Sequence, residues 1–248
     1  MKKIVKRGLI FSGIVLIALI VLVVIYGTLA NSELKKMNTI PTGEIVENIF
    51  AVQESYVNMY LIKDDSNYIA IDAGNDIDVV AGSLKKMNIN PDRVVAVLLT
   101  HSDSDHSAAI SLFNNAKIYF SLQEEKLLTG EKSRFLFFGN KIDAKQYTLI
   151  KDQAIFSIGN IRIKGLLTQG HTYGSMCYLI NDKYLFIGDA LSLKDGKIDE
   201  FPSLFNTDSK TAKKSISKLT NLPHAAYIFT AHFGYSSDYQ EAVKDWKN

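Results

Sequence analysis

Leu98-Leu99-Thr100-His101-Ser102-Asp103-Ser104-Asp105-His106-Ser107 joins an apolar run to a knot of titratable side chains. Val94 to Leu99 reads as a buried strand, bounded by Pro91-Asp92 before it and a polar loop after it. Two histidines and two aspartates then fall within six residues. With a helix expected from Ser107 to Phe113, this is a strand end feeding a helix, where open α/β sheets place their ligands. Imidazole nitrogens and carboxylate oxygens are the usual donors to a divalent transition ion, so the stretch predicts half of a metal site.

The other half is to be sought among the remaining histidines. The chain has five: His101, His106, His171, His224 and His232. His171 lies in Thr168-Gln169-Gly170-His171-Thr172-Tyr173-Gly174-Ser175, after the apolar run Ile161 to Leu167. Asp189 ends Tyr184-Leu185-Phe186-Ile187-Gly188-Asp189, and His232 follows Tyr227-Ile228-Phe229-Thr230-Ala231. Each donor comes just after a strand-like run, so all can converge on one edge of the sheets. His224, beside Pro223, has no such context and reads as a surface residue.

The order strand-HxDxDH, GHTxGS, IGDA and TAHFG resembles the metallo-β-lactamase superfamily of metal-dependent hydrolases. Together with a hairpin-like lead ending Ile69-Ala70-Ile71-Asp72-Ala73-Gly74, the resemblance covers roughly residues 44 to 235. It implies a four-layer αββα sandwich of mixed α/β class. It also implies two divalent ions, with His101, the residue at 103 and His171 holding the first. Asp105, His106 and His232 would hold the second, and Asp189 would bridge. Six of these seven positions match the family pattern and one departs, because the family's second histidine is Asp103 here. Asp105 is further expected to accept a proton. Tyr173 and Tyr235 are candidates to polarise a substrate carbonyl, with aromatic packing as the competing role.

Each motif residue also has a plainer reading. Asp103 or Ser104 could cap the following helix, since both types accept bonds from free N–H groups. His106 could be a first-turn histidine and His171 a turn histidine. The joint occurrence of four of the five histidines at ligand positions speaks against these. Asp72, at a strand end before Gly74, is expected to bond loop N–H groups.

The chemistry expected of such a centre is hydrolysis by a metal-activated hydroxide, cleaving an ester, thioester, lactone, amide or phosphodiester bond. Zinc is the expected ion. Asp103 moves the donor set towards oxygen, which favours manganese or iron more than a histidine would. Two other readings remain: a di-iron redox protein resembling the flavodiiron metal domain, and a non-catalytic module holding a structural metal. No flavin domain is expected in this sequence to feed the first. A structural zinc site normally closes with four ligands, which argues against the second.

Outside these motifs, the amino end stands apart. Gly8 to Ser32 carries no charge, and Leu9 to Tyr26 is almost wholly aliphatic. About 20 helical residues span a bilayer core of about 30 Å. Lys2, Lys3, Lys6 and Arg7 precede the stretch, so the positive-inside rule puts residues 1–8 in the cytoplasm and the rest outside. The expected organisation is a transmembrane anchor over 9–29, a polar stalk over 30–43 and one domain over 44–248. A cleaved signal peptide is the rival, with Thr28-Leu29-Ala30 as its cleavage site, but the apolar stretch is long for a signal core.

Residues 1–31 take four of the 28 basic residues and none of the 26 acidic ones, so the domain beyond carries 24 against 26, a net −2. No nucleic-acid-binding stripe is expected, and Lys210 to Lys218 reads as the solvated face of a helix. The expected substrate is a small or lipid-like molecule. The aromatic stretch Phe135 to Phe138 and the loop Leu191 to Thr207, with Phe201, Pro202 and Phe205, are candidate pocket walls. The single cysteine, Cys177, excludes an intrachain disulfide and is expected to lie buried in a strand.

Strands are expected over Ile45–Gln53, Tyr56–Lys63, Tyr68–Ile71, Lys117–Phe120 and Tyr227–Thr230. Hairpins are expected at Gly159-Asn160 and Asn181-Asp182. Helices are expected over Asp76–Met87, Leu122–Leu128, Asp208–Leu219 and Asp238–Trp246.

Overall fold

A computed structural model describes residues 2–134, 138–144 and 146–246. The chain divides into two units, Met1–Met37 and Asn38–Asn248.

The first unit is one helix, α1 (Lys2–Leu34), whose apolar span runs Ile10–Leu34 with its side chains outward. By length and composition it can cross a membrane, and a signal sequence near the amino end has the same form.

The second unit contains two sheets, each with one face towards the other. The first has the order β1 (Gly43–Val46), β2 (Ile49–Gln53), β3 (Asn58–Asp64), β4 (Asn67–Ile71), β5 (Val94–Leu98), β6 (Lys117–Ser121) and β7 (Tyr147–Ile150). From β4 onward its strands run parallel. The second is built from β8 (Ile155–Ile158), β9 (Ile161–Leu167), β10 (Met176–Ile180) and β11 (Tyr184–Phe186). A hairpin of β12 (Ser192–Lys194) and β13 (Lys197–Asp199) stands aside, and β14 (Tyr227–Phe229) and β15 (Tyr235–Ser236) complete the second sheet beside β11.

Side-chain alternation assigns the layers. On β3, Tyr60 and Ile62 join the core between the sheets with Ile71, Leu98, Tyr178, Phe186 and Phe229. Met59 and Leu61 point the other way, towards Val80 and Leu84 of α2 (Ile77–Lys86). On β10, Met176, Tyr178 and Ile180 face the inter-sheet core. Cys177 and Leu179 face the opposite layer, with Ile216 and Leu219 of α5 (Ser209–Leu219) and Ala242 of α6 (Tyr239–Ala242). Both faces of β10 are therefore buried, which is why its sequence is continuously apolar. The result is the αββα sandwich that the motifs implied.

Several expected elements are shorter or divided. The run Ile45–Gln53 is two strands folded back at Asn48, whose φ is 64°. The helix expected after the histidine loop is one turn, α3 (Ser104–Ser107), then a 3-10 turn at Ile110–Leu112. Only Glu125–Leu128 (α4) of the next helix forms. The carboxyl-terminal helix is α6 followed by a 3-10 turn, Lys244–Trp246. At the other end, Asn38 to Thr42 are fastened to the domain. Asn38 N–H donates to His232 O at 2.8 Å, and Ile40 exchanges bonds with the Asn58 side chain at 2.7 and 2.8 Å.

Candidate metal centre

Five loops leave the carboxyl ends of β4, β5, β9, β11 and β14 and bring Asp72, the 101–106 segment, His171, Asp189 and His232 together. Their close approach depends on Gly188, which has φ +51°. A Cβ there would lie 2.4 Å from Thr100 Oγ1, so only glycine lets the β11 loop pass against the β5 loop.

Four histidines are oriented in the same way. His106 Nδ1 donates to Asp72 Oδ2 at 2.8 Å, and His232 Nδ1 donates to the Tyr56 carbonyl at 2.6 Å. Thr100 Oγ1 gives its hydrogen to Asp72 and so receives His101 Nδ1 at 3.1 Å. His171 Nδ1 faces Asn206 Oδ1 at 3.3 Å. With Nδ1 carrying the hydrogen in each ring, every Nε2 presents a lone pair to the centre. Such anchoring of the remote nitrogen is how metal-binding histidines are held. Asp72 thus does what was expected of it, with Thr100 N–H also donating to it at 2.7 Å.

His106 Nε2 and His232 Nε2 lie 3.4 and 3.1 Å from Asp189 Oδ1, and 3.7 and 3.6 Å from Asp105 Oδ2. Bonds of about 2.0–2.1 Å to a tetrahedral ion require donor–donor edges of about 3.3–3.4 Å. His101 Nε2, His106 Nε2 and Asp189 Oδ1 are fully buried and have no hydrogen-bond partner among the described residues. An unpaired buried acceptor is costly, so the three define a place suited to a cation. The histidine charges tell the same story. Burial lowers the pKa of His106 and His232, yet the Asp189 and Asp105 carboxylates raise both, joined at His106 by Asp72. The donor set fits a divalent ion.

The other cluster is His101, Asp103 and His171, with Asp103 Oδ2 3.5 and 3.3 Å from the two Nε2 atoms and His171 Nε2 3.4 Å from Asp189 Oδ2. The Asp103 side chain does not cap α3. Its carboxylate instead binds Arg134 through Nε at 2.9 and 3.0 Å and Nη2 at 2.7 Å, and accepts from Asn140 Nδ2 at 2.7 Å. Burial raises the Asp103 pKa, but His101, His171 and Arg134 together hold it well below the usual carboxylate range.

Around the donors stand Tyr56, stacked on His232 at 5.9 Å between ring centroids, and Phe201, 5.1 Å from His171 and 5.9 Å from His232. Phe205 and Phe233 extend this wall, 6.3 and 6.0 Å from Phe201. Tyr173 lies under Lys132 Nζ at 5.3 Å, and Tyr235 stacks on Phe229 at 5.5 Å, so these two rings pack against partners other than the donors. Phe138 is exposed, whereas residues 135–137 of that expected wall lie outside the described residues. His224 is exposed and apart from the cluster.

Glu124, Arg134, Asn140 and Tyr56 were not singled out by sequence. Glu124 is fully buried and ties the two ligand loops, accepting from Ser102 N and Oγ at 2.8 and 2.6 Å, Thr172 Oγ1 at 2.7 Å and Gly174 N at 3.1 Å. Arg134 left one signal: it is one of four arginines among 28 basic residues, and guanidinium is the group suited to bidentate carboxylate binding.

Residues 52–232 match the family model of the metallo-beta-lactamase superfamily. The chain belongs to that superfamily. A probable metallo-hydrolase of Methanocaldococcus jannaschii is 31% identical over 157 residues, covering 63% of this chain and 66% of that protein. A probable polyketide biosynthesis zinc-dependent hydrolase of Bacillus velezensis is 30% identical over 53% of this chain and 54% of its own length. The chain thus spans between about half and two thirds of these curated relatives. Among solved structures, a metallo-beta-lactamase family protein of Thermus thermophilus superposes with a TM-score of 0.63 at 17% identity, covering 82% of this chain and 79% of that one. That likeness concerns the fold of this superfamily member.

Proposed function

We infer that this superfamily member is a metal-dependent hydrolase acting on a carboxylic ester, thioester or lactone. The observation that carries this is the convergence of Asp105, His106, Asp189 and His232 at edges of 3.1 to 3.7 Å, with every Nδ1 anchored behind. A divalent ion held there, zinc in keeping with the name of the Bacillus velezensis relative, would supply an activated water and polarise a carbonyl.

The chain's own residues do the rest. Asp189 is almost wholly buried, with 4% of its side chain exposed, and its charge is fixed by the histidines around it. Asp105 is the more open carboxylate at 21%. It faces solvent and is placed to take a proton from water and pass it on. Tyr56, Phe201, Phe205 and Phe233 give the rim an aromatic character suited to an acyl group with apolar parts. Binding of a lipid-like acyl chain accords with tethering by residues 9–29, with the domain held outside the membrane.

The test is a panel of ester, thioester, lactone, amide and phosphodiester substrates on chelator-treated and zinc-restored full-length protein. Turnover of an acyl substrate, lost on chelation and restored by zinc, is expected. Exclusive turnover of phosphodiesters would replace the substrate class, and no turnover by the restored protein would favour a binding module. For the topology, protease added to intact spheroplasts should digest the domain. Protection of the domain would reverse the orientation.

A further inference from the structure

The two donor clusters differ in what already sits in them. At Asp105, His106, Asp189 and His232, lone pairs converge on a place with no protein cation among the described residues, and two of the donor atoms are orphaned; a third orphan, His101 Nε2, groups with His106 and Asp189 within 4.8 Å and so borders the same place. At His101, Asp103 and His171 a guanidinium is built in. Arg134 is fixed from several sides: its backbone N–H donates to Phe138 O at 2.7 Å, Nη1 to Thr207 Oγ1 at 3.0 Å, and Nη2 to Phe205 O at 2.9 Å. Only 17% of its side chain is exposed.

This guanidinium competes for the electron pairs a first ion needs. Both Asp103 oxygens accept from it, and Asn140 takes a further site on Oδ1. Nη2 also lies 3.1 Å from His171 Nε2. An arginine nitrogen can only donate. His171 Nε2 has one lone pair, because its Nδ1 hydrogen faces Asn206, and it cannot serve Arg134 and an ion together. Nη2 has two hydrogens for three acceptors, so the His171 contact is shared, yet the lone pair still faces a cation.

Charge gives an independent reason. Asp103, Asp105 and Asp189 carry three negative charges, which one divalent ion and one guanidinium neutralise. A second divalent ion would be set beside a fixed positive group a few ångströms away, in a buried place where repulsion is poorly screened. A first ion would need Asp103 as a ligand, and Arg134 already engages both of its oxygens.

We propose that Arg134 is the resident cation of the first cluster, so that this chain carries one metal ion, in the Asp105, His106, Asp189 and His232 site. Asp103 then serves as the anchor of Arg134 and not as a metal ligand. The proposal rests on the metal-dependent reading above. It explains why a carboxylate stands where the family has a histidine: an imidazole could not form the two-pronged pair with a guanidinium.

The test counts metal on chelator-treated full-length protein in detergent, by equilibrium dialysis against zinc and cobalt followed by elemental analysis. One equivalent per chain is expected for the wild type, and one for Asp103→Asn. Two are expected for the Asp103→His/Arg134→Ala double variant, which restores the family's donor and removes the guanidinium. Cobalt spectra should saturate at one equivalent in the wild type and show a second, distinct step in the double variant. Two tight equivalents in the wild type would overturn the proposal while sparing the hydrolase reading. A fall from two to one in Asp103→Asn would do the same. A single equivalent in a folded double variant would show that Arg134 is not what excludes the second ion. No metal in the wild type would remove the hydrolase reading itself. The wild-type count stands whether or not the double variant folds.

Discussion

Asp72 Oδ2 lies 2.8 Å from His106 Nδ1, and the same carboxylate accepts from Thr100 N–H at 2.7 Å and Thr100 Oγ1 at 2.9 Å. One buried side chain therefore orients the His106 imidazole and ties the end of β4 to the loop after β5. Asp72 takes φ 61° to do so. Asp72→Asn keeps the shape but removes the charge that holds the His106 tautomer. Metal affinity should fall by about 10–100-fold, the usual effect of removing such a partner. Zinc competition with a chromophoric chelator measures this, and unchanged affinity would deny Asp72 that role.

His106→Ala or His232→Ala should release the metal and abolish turnover together, since each removes one of four converging donors. His224→Ala should change neither, because His224 is exposed and away from the cluster. Metal analysis of the three purified variants is the check. Full occupancy in His232→Ala would place the ion elsewhere.

Gly188→Ala should destabilise the domain. A left-handed backbone costs an L-residue about 1–2 kcal/mol, and the added Cβ would meet Thr100 Oγ1 at 2.4 Å besides. A lowered midpoint of thermal unfolding, with metal lost at lower temperature than in the wild type, is the expected result. An unchanged midpoint would mean that the two loops separate freely.

Cys177 should be silent in the native protein. Burial pushes its thiol up to about 12, against a partial lowering by the Thr168 hydroxyl 3.2 Å away. The thiolate is the reactive form, and at pH 8 it would amount to roughly one molecule in ten thousand. A thiol-specific reagent should label one equivalent only after denaturation. Rapid labelling at neutral pH would show that the β10 layer opens.

Much of this arrangement was legible from the chain alone, because it is local. Donors immediately after apolar runs must emerge at strand ends, and parallel neighbours β4 and β5, or β11 and β14, bring those ends to one edge. The convergence of His101, His106, His171, His232, Asp105 and Asp189 was therefore foreseeable without a structure, as was the pairing of motifs with an αββα sandwich. Shorter elements were less so. The helix after the histidine loop stops after one turn because the Ala109 N–H leaves the helical pattern and donates to Ala73 O at 3.2 Å.

What only the tertiary structure decided is the partner of each donor. The carbonyl that orients His232 belongs to Tyr56, 176 residues earlier, and the guanidinium on Asp103 comes from 31 residues later. Arg134 sits in a stretch without helical or strand periodicity, so nothing in the local pattern says which way it turns. Sequence settles which residue types can bind a cation, since that is a property of the side chain. Whether the cation at Asp103 is a metal or an arginine depends on how distant loops pack, and the bonds of Arg134 to Thr207 Oγ1 and Phe205 O hold the guanidinium there.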